Sequence, residues 1–246
     1  MYLQFYLIIY LMKNKSFLLL FFFLFLCQVS FAQQTILNDS NLPIMVISTD
    51  IDPDTNAPTD IPDEPKVLGS MQLIYRPDGS RNYLTDSTNE SFLNYKGRIG
   101  IELRGSSSQA LDKKPYGFTT LLQDGDSNNN VSLLGMPSEN DWVLNSLAYD
   151  PSMVRDYLSY TLASNMGNYA PRVQYIEVIV NGDYKGVYFL TEKVKRDSDR
   201  VNLKKIADDD NDFPDITGGY IIKADKTTGG DEIAWTMPNY GGWDTN

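Results

Sequence analysis

A strongly β-type run followed by an Asn-Gly pair is the feature that most limits how this chain can fold. Residues Val173–Val180 read VQYIEVIV, the pair Asn181-Gly182 follows, and residues 186–194 (GVYFLTEKV) form a second β-type run. Tight hairpin turns favour Asn-Gly, because both corner positions need a positive φ. The pattern therefore predicts an antiparallel hairpin, and with it a fold built largely on antiparallel sheet.

Other β-type segments precede this hairpin, and turn-forming residues separate them. Alternation of apolar and polar residues in one of them, 95–103, is typical of a half-buried strand. Residues 50–65, rich in Asp, Pro and Thr, predict a loop. The predicted strands cover residues 42–49, 67–75, 95–103, 115–122 and, after the hairpin, 218–224.

One helix is predicted between these strands. Asp150 followed by Pro151 is a helix start, because a side-chain oxygen caps free N–H groups and Pro fits the first turn. Apolar residues then recur at three- and four-residue spacing as far as Leu162, and Gly167 ends the pattern. Together these elements predict an α+β fold: an antiparallel β-rich domain with one main helix.

The first 32 residues read as a leader. From Met12 the sequence is MKNKSFLLLFFFLFLCQVSFA, with lysines, an apolar run, and Ser30 and Ala32 placed for cleavage. We therefore expect a signal peptide over residues 1–32 with the true start at Met12, a flexible segment at 33–41 and a domain at 42–246. The protein would be exported to the periplasm, the cell surface or the extracellular space, without membrane attachment. The alternative is an uncleaved membrane anchor made of both apolar runs.

Composition excludes several kinds of chemistry. The chain has no histidine, and its one cysteine, Cys27, lies inside the predicted leader. Imidazole-based catalysis, disulfides and thiolate metal sites are therefore excluded from the mature chain, and a metal would need oxygen ligands. The net charge of −11 argues against nucleic acid or anionic lipid as a partner. Residues 124–130 begin like a calcium loop but lack its later glycine and glutamate.

The turn between two predicted strands, RGSSSQALDKK (residues 104–114), is the candidate site. Gly105 lets the backbone approach a ligand, three serines offer donors to phosphate oxygens, and Lys113 or Lys114 offers a positive charge. On these residues alone, a solvated hairpin loop is the simpler interpretation.

Ordered segments of this sequence resemble the CotH kinase family, secreted or spore-coat proteins with an atypical protein-kinase fold. The resemblance implies ATP, Mg²⁺ or another divalent metal, phosphoryl transfer to protein Ser or Thr, and a kinase-like N-lobe before a mostly helical C-lobe. The segments are RGSSSQALDKKPYGF (104–118), LLGMPSENDWVLNSLAYDPSMVRDYL (133–158), APRVQYIEVIVNGDYKGVYFLTEKVKRDSDRVNL (170–203) and TGGYIIKAD (217–225).

The resemblance also implies roles for individual residues. The turn would cover the phosphates, Lys113 rather than Lys114 would touch them, and adenine would pack near the linker that follows the hairpin. The implied nucleotide-binding residues are Arg104, Gly105, Ser106, Ser107, Ser108, Lys113, Lys114, Glu192 and Lys193. Candidates to orient the lysine are Arg155, Asp156 and Glu177, each of which could equally be a solvent-facing residue.

The family's catalytic and metal-holding aspartates come later than the segments matched here. The chain given ends at Asn246 without them, and Trp243-Asp244 lacks the flanking residues of the family's pattern. We therefore expect an inactive fragment of an exported CotH-like kinase with its C-lobe largely missing and apolar surface exposed where that lobe would dock. The alternative is a non-catalytic secreted binding module of the same fold. The protein substrate is undefined.

Overall fold

The computed structural model describes residues 36–217 and 219–220, in which seven strands close into a barrel. The predicted leader and the strand predicted at 218–224 lie outside these residues, apart from two positions of the latter. The barrel strands are β2 (Ile44–Thr49), β5 (Val67–Ile74), β7 (Leu93–Leu103), β8 (Tyr116–Leu121), β9 (Asp141–Asn145), β10 (Val173–Val180) and β11 (Asp183–Glu192). Around the barrel their order is β10-β11-β9-β8-β7-β5-β2. Short pairs outside the barrel are β1 (Asp39–Ser40) with β6 (Asn82–Tyr83), and β3 (Ile51–Asp52) with β4 (Ala57–Pro58).

An odd number of strands decides how the barrel closes. Seven strands cannot alternate in direction all the way round, so at least one neighbouring pair must be parallel. That pair is β10 with β2, whereas the other six neighbouring pairs are antiparallel. Closure leaves the barrel without a free sheet edge. The predicted antiparallel sheet is thus confirmed, but its parallel closure was not predicted.

The hairpin forms as its sequence predicts. Val180 pairs with Asp183, and the two corner residues Asn181 and Gly182 have φ of 51° and 79°. These are the positive angles that a primed turn requires. The segment at 141–145, in contrast, forms a full barrel strand that the sequence pattern did not separate from its surroundings.

Two other predictions are corrected. Helix α1 (Arg155–Asn165) starts later than the predicted position after Asp150. Asp150 still caps it, because its carboxylate accepts hydrogen bonds from the backbone N–H groups of Val154 and Arg155 across an intervening turn. Residues predicted as a flexible N-terminal segment include β1, where Ser40 is buried.

The inner face of the barrel is the main core. Its side chains alternate with outward-facing ones along each strand, as a half-buried strand requires. Trp142, on β9, is 1% exposed. Inward-facing core residues include Ile47, Met71, Ile99, Phe118, Trp142, Leu144, Ile176, Val178, Tyr188 and Leu190.

The outer surface is covered unequally. Over β2, β5 and β10, the N-terminal segment and the 3₁₀ turn Leu84–Thr88 bury a second apolar cluster around Ile44, Ile74 and Ile179. Over β11, helix α1 packs the ring of Tyr157 against the ring of Phe189, but none of the helix residues is buried. No helix within the described residues is long and apolar enough to cross a bilayer.

Candidate functional site

The turn between β7 and β8 depends on a glycine. Gly105 has φ of +91°, and a Cβ built there would lie 2.2 Å from the Oγ atom of Ser108. An L side chain would therefore be strained in the backbone and would also clash. After Gly105 the chain forms the 3₁₀ turn Ser107–Ala110, and the Arg104 N–H donates to the Pro115 carbonyl where the two strands meet.

Gln109 and Lys114 hold the turn in shape. The side-chain amide of Gln109 donates to the carbonyl of Gly105 at 2.9 Å and to the carboxylate of Asp63 at 2.6 Å. The Lys114 ammonium group donates to the Gln109 carbonyl at 2.6 Å. Both side chains thus order the turn itself, and the turn is tied to the acidic segment before β5.

Two clefts meet beneath this turn on the outer face of the barrel. The helix cleft, about 610 Å³, lies between the turn and the start of α1. The strand cleft, about 530 Å³, lies between the turn, the segment before β5 and the chain just after β11. Arg104, Gly105 and Val143 line both clefts. The helix cleft is also lined by Ser108, Asn145, Asp150, Arg155, Asp156 and Tyr160, and the strand cleft by Asp63, Lys66, Glu102, Gly117, Asp141 and Lys193.

Arg104 is the cation at the junction of the clefts. It is exposed, and no carboxylate within the described residues lies at ion-pair distance from it. Across the helix cleft, Asp156 accepts a hydrogen bond from the Asn145 side chain at 3.1 Å. Burial raises the pKa of Tyr160; the Asp156 carboxylate raises it further, and the Arg104 guanidinium lowers it. Both charged groups therefore act on this phenol, which lies at the base of the cleft.

Arg155 and Asp150 form the outer rim of the helix cleft. The Arg155 Nε lies 3.6 Å from the Asp150 carboxylate, but the arginine side chain is 73% exposed. Only the arginine of this pair is exposed, because the Asp150 side chain is mostly buried, so Arg155 can leave the long contact for a ligand at low cost. Within the described part of the chain, the helix cleft therefore presents Arg104 without an ion pair and Arg155 with a weak one.

The lysine predicted to touch phosphates lies elsewhere. Lys113 lines neither cleft: its ammonium donates to the carbonyl of Val187 at 2.5 Å and lies 4.6 Å from the centre of the Tyr188 ring. Burial lowers the pKa of Lys113, and the Glu177 carboxylate opposes that shift. Lys114 also lines neither cleft. A phosphate role for these lysines stays a prediction.

Glu177 and Glu192 are both buried away from the clefts. Glu177 lies on the outer face that the N-terminal segment covers, where it accepts hydrogen bonds from the hydroxyl groups of Ser40 and Tyr184. Burial raises the pKa of Tyr184, and its hydrogen bond to the Glu177 carboxylate raises that pKa further. Glu192 has a fully buried side chain that accepts hydrogen bonds from the backbone N–H and the guanidinium of Arg172.

The helix cleft therefore brings Arg104, Gly105 and Ser108 of the turn together with Arg155 and Asp156 of α1. Lys113, Lys114, Glu177 and Glu192 line neither cleft. Of the pair predicted near the linker, Lys193 lines the strand cleft. Sequence reasoning missed Asn145 and Tyr160. Tyr160 could have been found, because it lies four residues after Asp156 and thus on the same helix face.

Divalent metal has no matching site among the described residues, where no cluster of three potential ligands occurs. The calcium-like loop uses its first carboxylate locally: Asp124 accepts hydrogen bonds from the N–H groups of Asp126 and Ser127. This closes the turn on itself.

A comparison with protein families identifies the family of this chain. A family model described as CotH kinase protein matches residues 101–242, more than half of the chain. The match begins at the end of β7. It includes the turn, strands β8 and β9, helix α1 and the hairpin formed by β10 and β11. No curated protein matches the chain.

Proposed function

Because this chain belongs to the CotH kinase family, we propose that the two clefts bind one nucleoside triphosphate, as the ATP site of a CotH-like protein Ser/Thr kinase. The base would lie in the strand cleft, and the phosphates would pass Arg104 into the helix cleft. The observation that carries the proposal is Arg104: an arginine that has no ion-pair partner among the described residues, beside an open glycine turn, at the junction of two clefts. Arginine binds phosphate through a planar fork of donors, so the residue type fits the ligand.

The order of the elements supports this assignment. Protein kinases place a glycine-rich turn over the phosphates, a lysine on the third strand and then a helix whose acid pairs with that lysine. Here β7 precedes the turn, and β8, β9 and helix α1 follow it. Counted from β7, the third strand is β9. The third strand carries no lysine; instead its last residue, Asn145, donates to Asp156 of the helix. The kinase-like N-lobe thus remains a proposal with one clear departure.

Arg104 and Arg155 would supply the positive charge that the third strand lacks. They lie on opposite walls of the helix cleft. Two arginines can hold phosphate oxygens from two sides without a strand lysine. Lys114 would act indirectly, by keeping the turn in place through Gln109.

The strand cleft offers a flat surface for a base. It is lined by Gly117 on β8, by Val143 on β9 and by Lys193, which follows β11. A Cβ at Gly117 would lie 3.3 Å from the Glu102 carboxylate, so a larger residue would crowd this cleft. A planar ring could therefore lie against the sheet between the turn and the linker.

Isothermal titration of the full chain with Mg²⁺-ATP tests the proposal. Arg104→Met should weaken binding about tenfold or more, since a hydrogen bond to a charged group contributes about 1.5–3 kcal/mol. Arg81→Met, which removes an exposed arginine paired with Asp39 on the far side of the barrel, is the matched control. No binding by the folded protein, or an unchanged affinity in Arg104→Met, would refute the assignment.

A second candidate is the non-catalytic binding module. The exposed apolar residues of α1 favour it, because such surface on a soluble domain often marks a protein interface. Leu158 and Leu162 are 60% and 62% exposed. If ATP does not bind but a partner protects these residues from solvent, this alternative replaces the first.

Export is part of the same proposal. Its support is the leader pattern of residues 12–32, which predicts cleavage after Ala32. Expression in a bacterial host and N-terminal sequencing of the exported product should give a chain that starts at Gln33. Retention of the whole leader in the membrane fraction would favour the anchor instead.

A further inference from the structure

Arg200 is a buried arginine that joins two parts of the strand-cleft wall. Its side chain is 1% exposed. One terminal nitrogen, Nη1, donates to the carbonyl of Lys193 at 2.7 Å and to the carbonyl of Asp141 at 3.1 Å. Lys193 directly follows β11, and Asp141 begins β9. A single side chain thus fixes the linker against the barrel.

The surroundings of Arg200 are built for a buried charge. Its guanidinium carbon lies 5.3 Å from the centre of the Trp142 ring, and its Nε lies 3.9 Å from the Glu192 carboxylate. Glu192 is itself held by Arg172. Among the described residues, however, Nε and Nη2 of Arg200 have no hydrogen-bond partner.

Stability alone accounts poorly for this arrangement. A buried donor without a partner is costly, and buried ion pairs are often no more stable than apolar side chains of similar size. What Arg200 does provide is position: two backbone carbonyls, 52 residues apart in the numbering (193 − 141), are held by one planar group. Of the residues that Arg200 contacts, Asp141, Trp142 and Lys193 line the strand cleft.

We infer that Arg200 is a positioning residue for the base end of the nucleotide site. This inference rests on the proposed function, because it assigns the base to the strand cleft. Arg200 lines neither cleft, so it acts through Lys193 and Asp141 and not by contact with the ligand. It should affect ligands that carry a base and leave phosphate binding at Arg104 unchanged.

The experiment compares Arg200→Lys and Arg200→Met with Arg196→Met in the full chain. Arg196 lies in the same segment but is exposed, which makes it a matched control. Lysine keeps the buried charge near Glu192, but its side chain is one bond shorter, so its ammonium falls short of the two carbonyls that Nη1 reaches. We expect both Arg200 variants to bind Mg²⁺-ATP about tenfold more weakly and inorganic tripolyphosphate as the wild type does. Arg196→Met should bind both ligands normally.

A second readout needs no nucleotide. Amide hydrogen exchange at residues 193–195 should rise in Arg200→Lys, while exchange in the turn at 104–111 stays unchanged. If the wild type binds no ATP, the proposed function fails, and a selective rise at 193–195 still supports the positioning role. Unchanged exchange there, or equal weakening of ATP and tripolyphosphate, overturns the inference. If Arg200→Met does not fold, Arg200→Lys alone decides the result.

Discussion

The two walls of the candidate site are held in very different ways. The segment after β11 is fixed to the barrel by ion pairs that each include a buried or half-buried group: Glu192 with Arg172 and Arg200, and Lys195 with Glu139 and Asp141. Helix α1, the opposite wall, has no buried residue. One side of the site is therefore built as the barrel folds, whereas the other can shift or change its sequence at little cost to the barrel.

The helix wall depends on a few contacts. The rings of Tyr157 and Tyr175 pack in tilted geometry against Phe189 of β11, with the centroids of Tyr175 and Phe189 4.4 Å apart. One hydrogen bond, from Asn145 to Asp156, ties the helix to β9. Substitutions in the segment after β11 should therefore lower the unfolding free energy of the barrel, whereas substitutions in α1 should loosen the helix alone.

Glu192→Gln should have the largest effect. The substitution removes a fully buried negative charge that faces two arginines, and breaking a buried pair costs about 3–5 kcal/mol of unfolding free energy. Urea unfolding of the full chain measures it. The control is Asp215→Asn, which breaks the exposed Lys204–Asp215 pair and should cost about 1 kcal/mol or less. Equal effects of the two substitutions would show that the linker wall is not held by its buried charges.

Tyr157→Ala should loosen the helix and spare the barrel. It removes the ring that joins α1 to Phe189, and aromatic pairs contribute about 0.5–1.5 kcal/mol beyond simple burial. Hydrogen exchange at residues 155–165 should rise, while exchange in β8 and β11 stays slow. The control is Tyr149→Ala, which removes a 63% exposed ring that does not pack against Phe189. A matching rise in the barrel strands would contradict the separation of the two walls.

Acid should act on the helix before the barrel. Hydrogen bonds, first from the Ser152 hydroxyl and then from the Arg155 backbone N–H, lower the pKa of Asp150 from 3.8 to about 2. A lowered folded-state pKa gives stability that is present above the unfolded value and lost as pH falls through the folded value. The N-terminal end of α1 should therefore loosen as the pH falls from 3.8 to about 2.

Far-UV circular dichroism together with hydrogen exchange at residues 155–165 follows this change. In Asp150→Asn the neutral cap cannot titrate, so the loosening in this pH window should be absent. If the wild type and the variant lose helix signal over the same pH range, another carboxylate controls the helix start.

Leu158→Gln with Leu162→Gln should have the smallest effect on stability, within about 0.5 kcal/mol, because both side chains are mostly exposed. The double variant should instead reduce self-association in light scattering, since it removes exposed apolar surface. Ser159→Gln, which changes a polar residue of the same helix, should alter neither property. A large loss of stability would mean that this face of the helix is packed.

Local patterns predicted what depends on neighbouring residues. Alternation in β7 and the Asn181-Gly182 turn were sufficient for those elements, because the physical cause lies within a few residues. The parallel pairing of β10 with β2 has no such local signal. Nor has Arg200, whose two carbonyl partners come from different parts of the chain.

The candidate site was predicted in part for the same reason. Arg104 continues the outward-facing positions of β7, in line with Glu102, so strand alternation alone directs it away from the core. Lys113 lies in the loop, where direction depends on how the turn closes and on Val187 of a distant strand. Residue type could suggest a phosphate ligand, but only the folded turn determines which cation faces the clefts.

Parallel closure of the barrel also bears on how the protein is made. A ribosome releases β2 long before β10, and Ser40, just ahead of β2, meets its buried partner Glu177 only 137 positions later. Until Val180 has emerged, the apolar run from Ile44 to Thr49 keeps one edge open to strands of other nascent chains. Synthesis that pauses within this interval should therefore yield aggregates, and a chaperone that shields extended apolar segments should raise the yield of soluble protein.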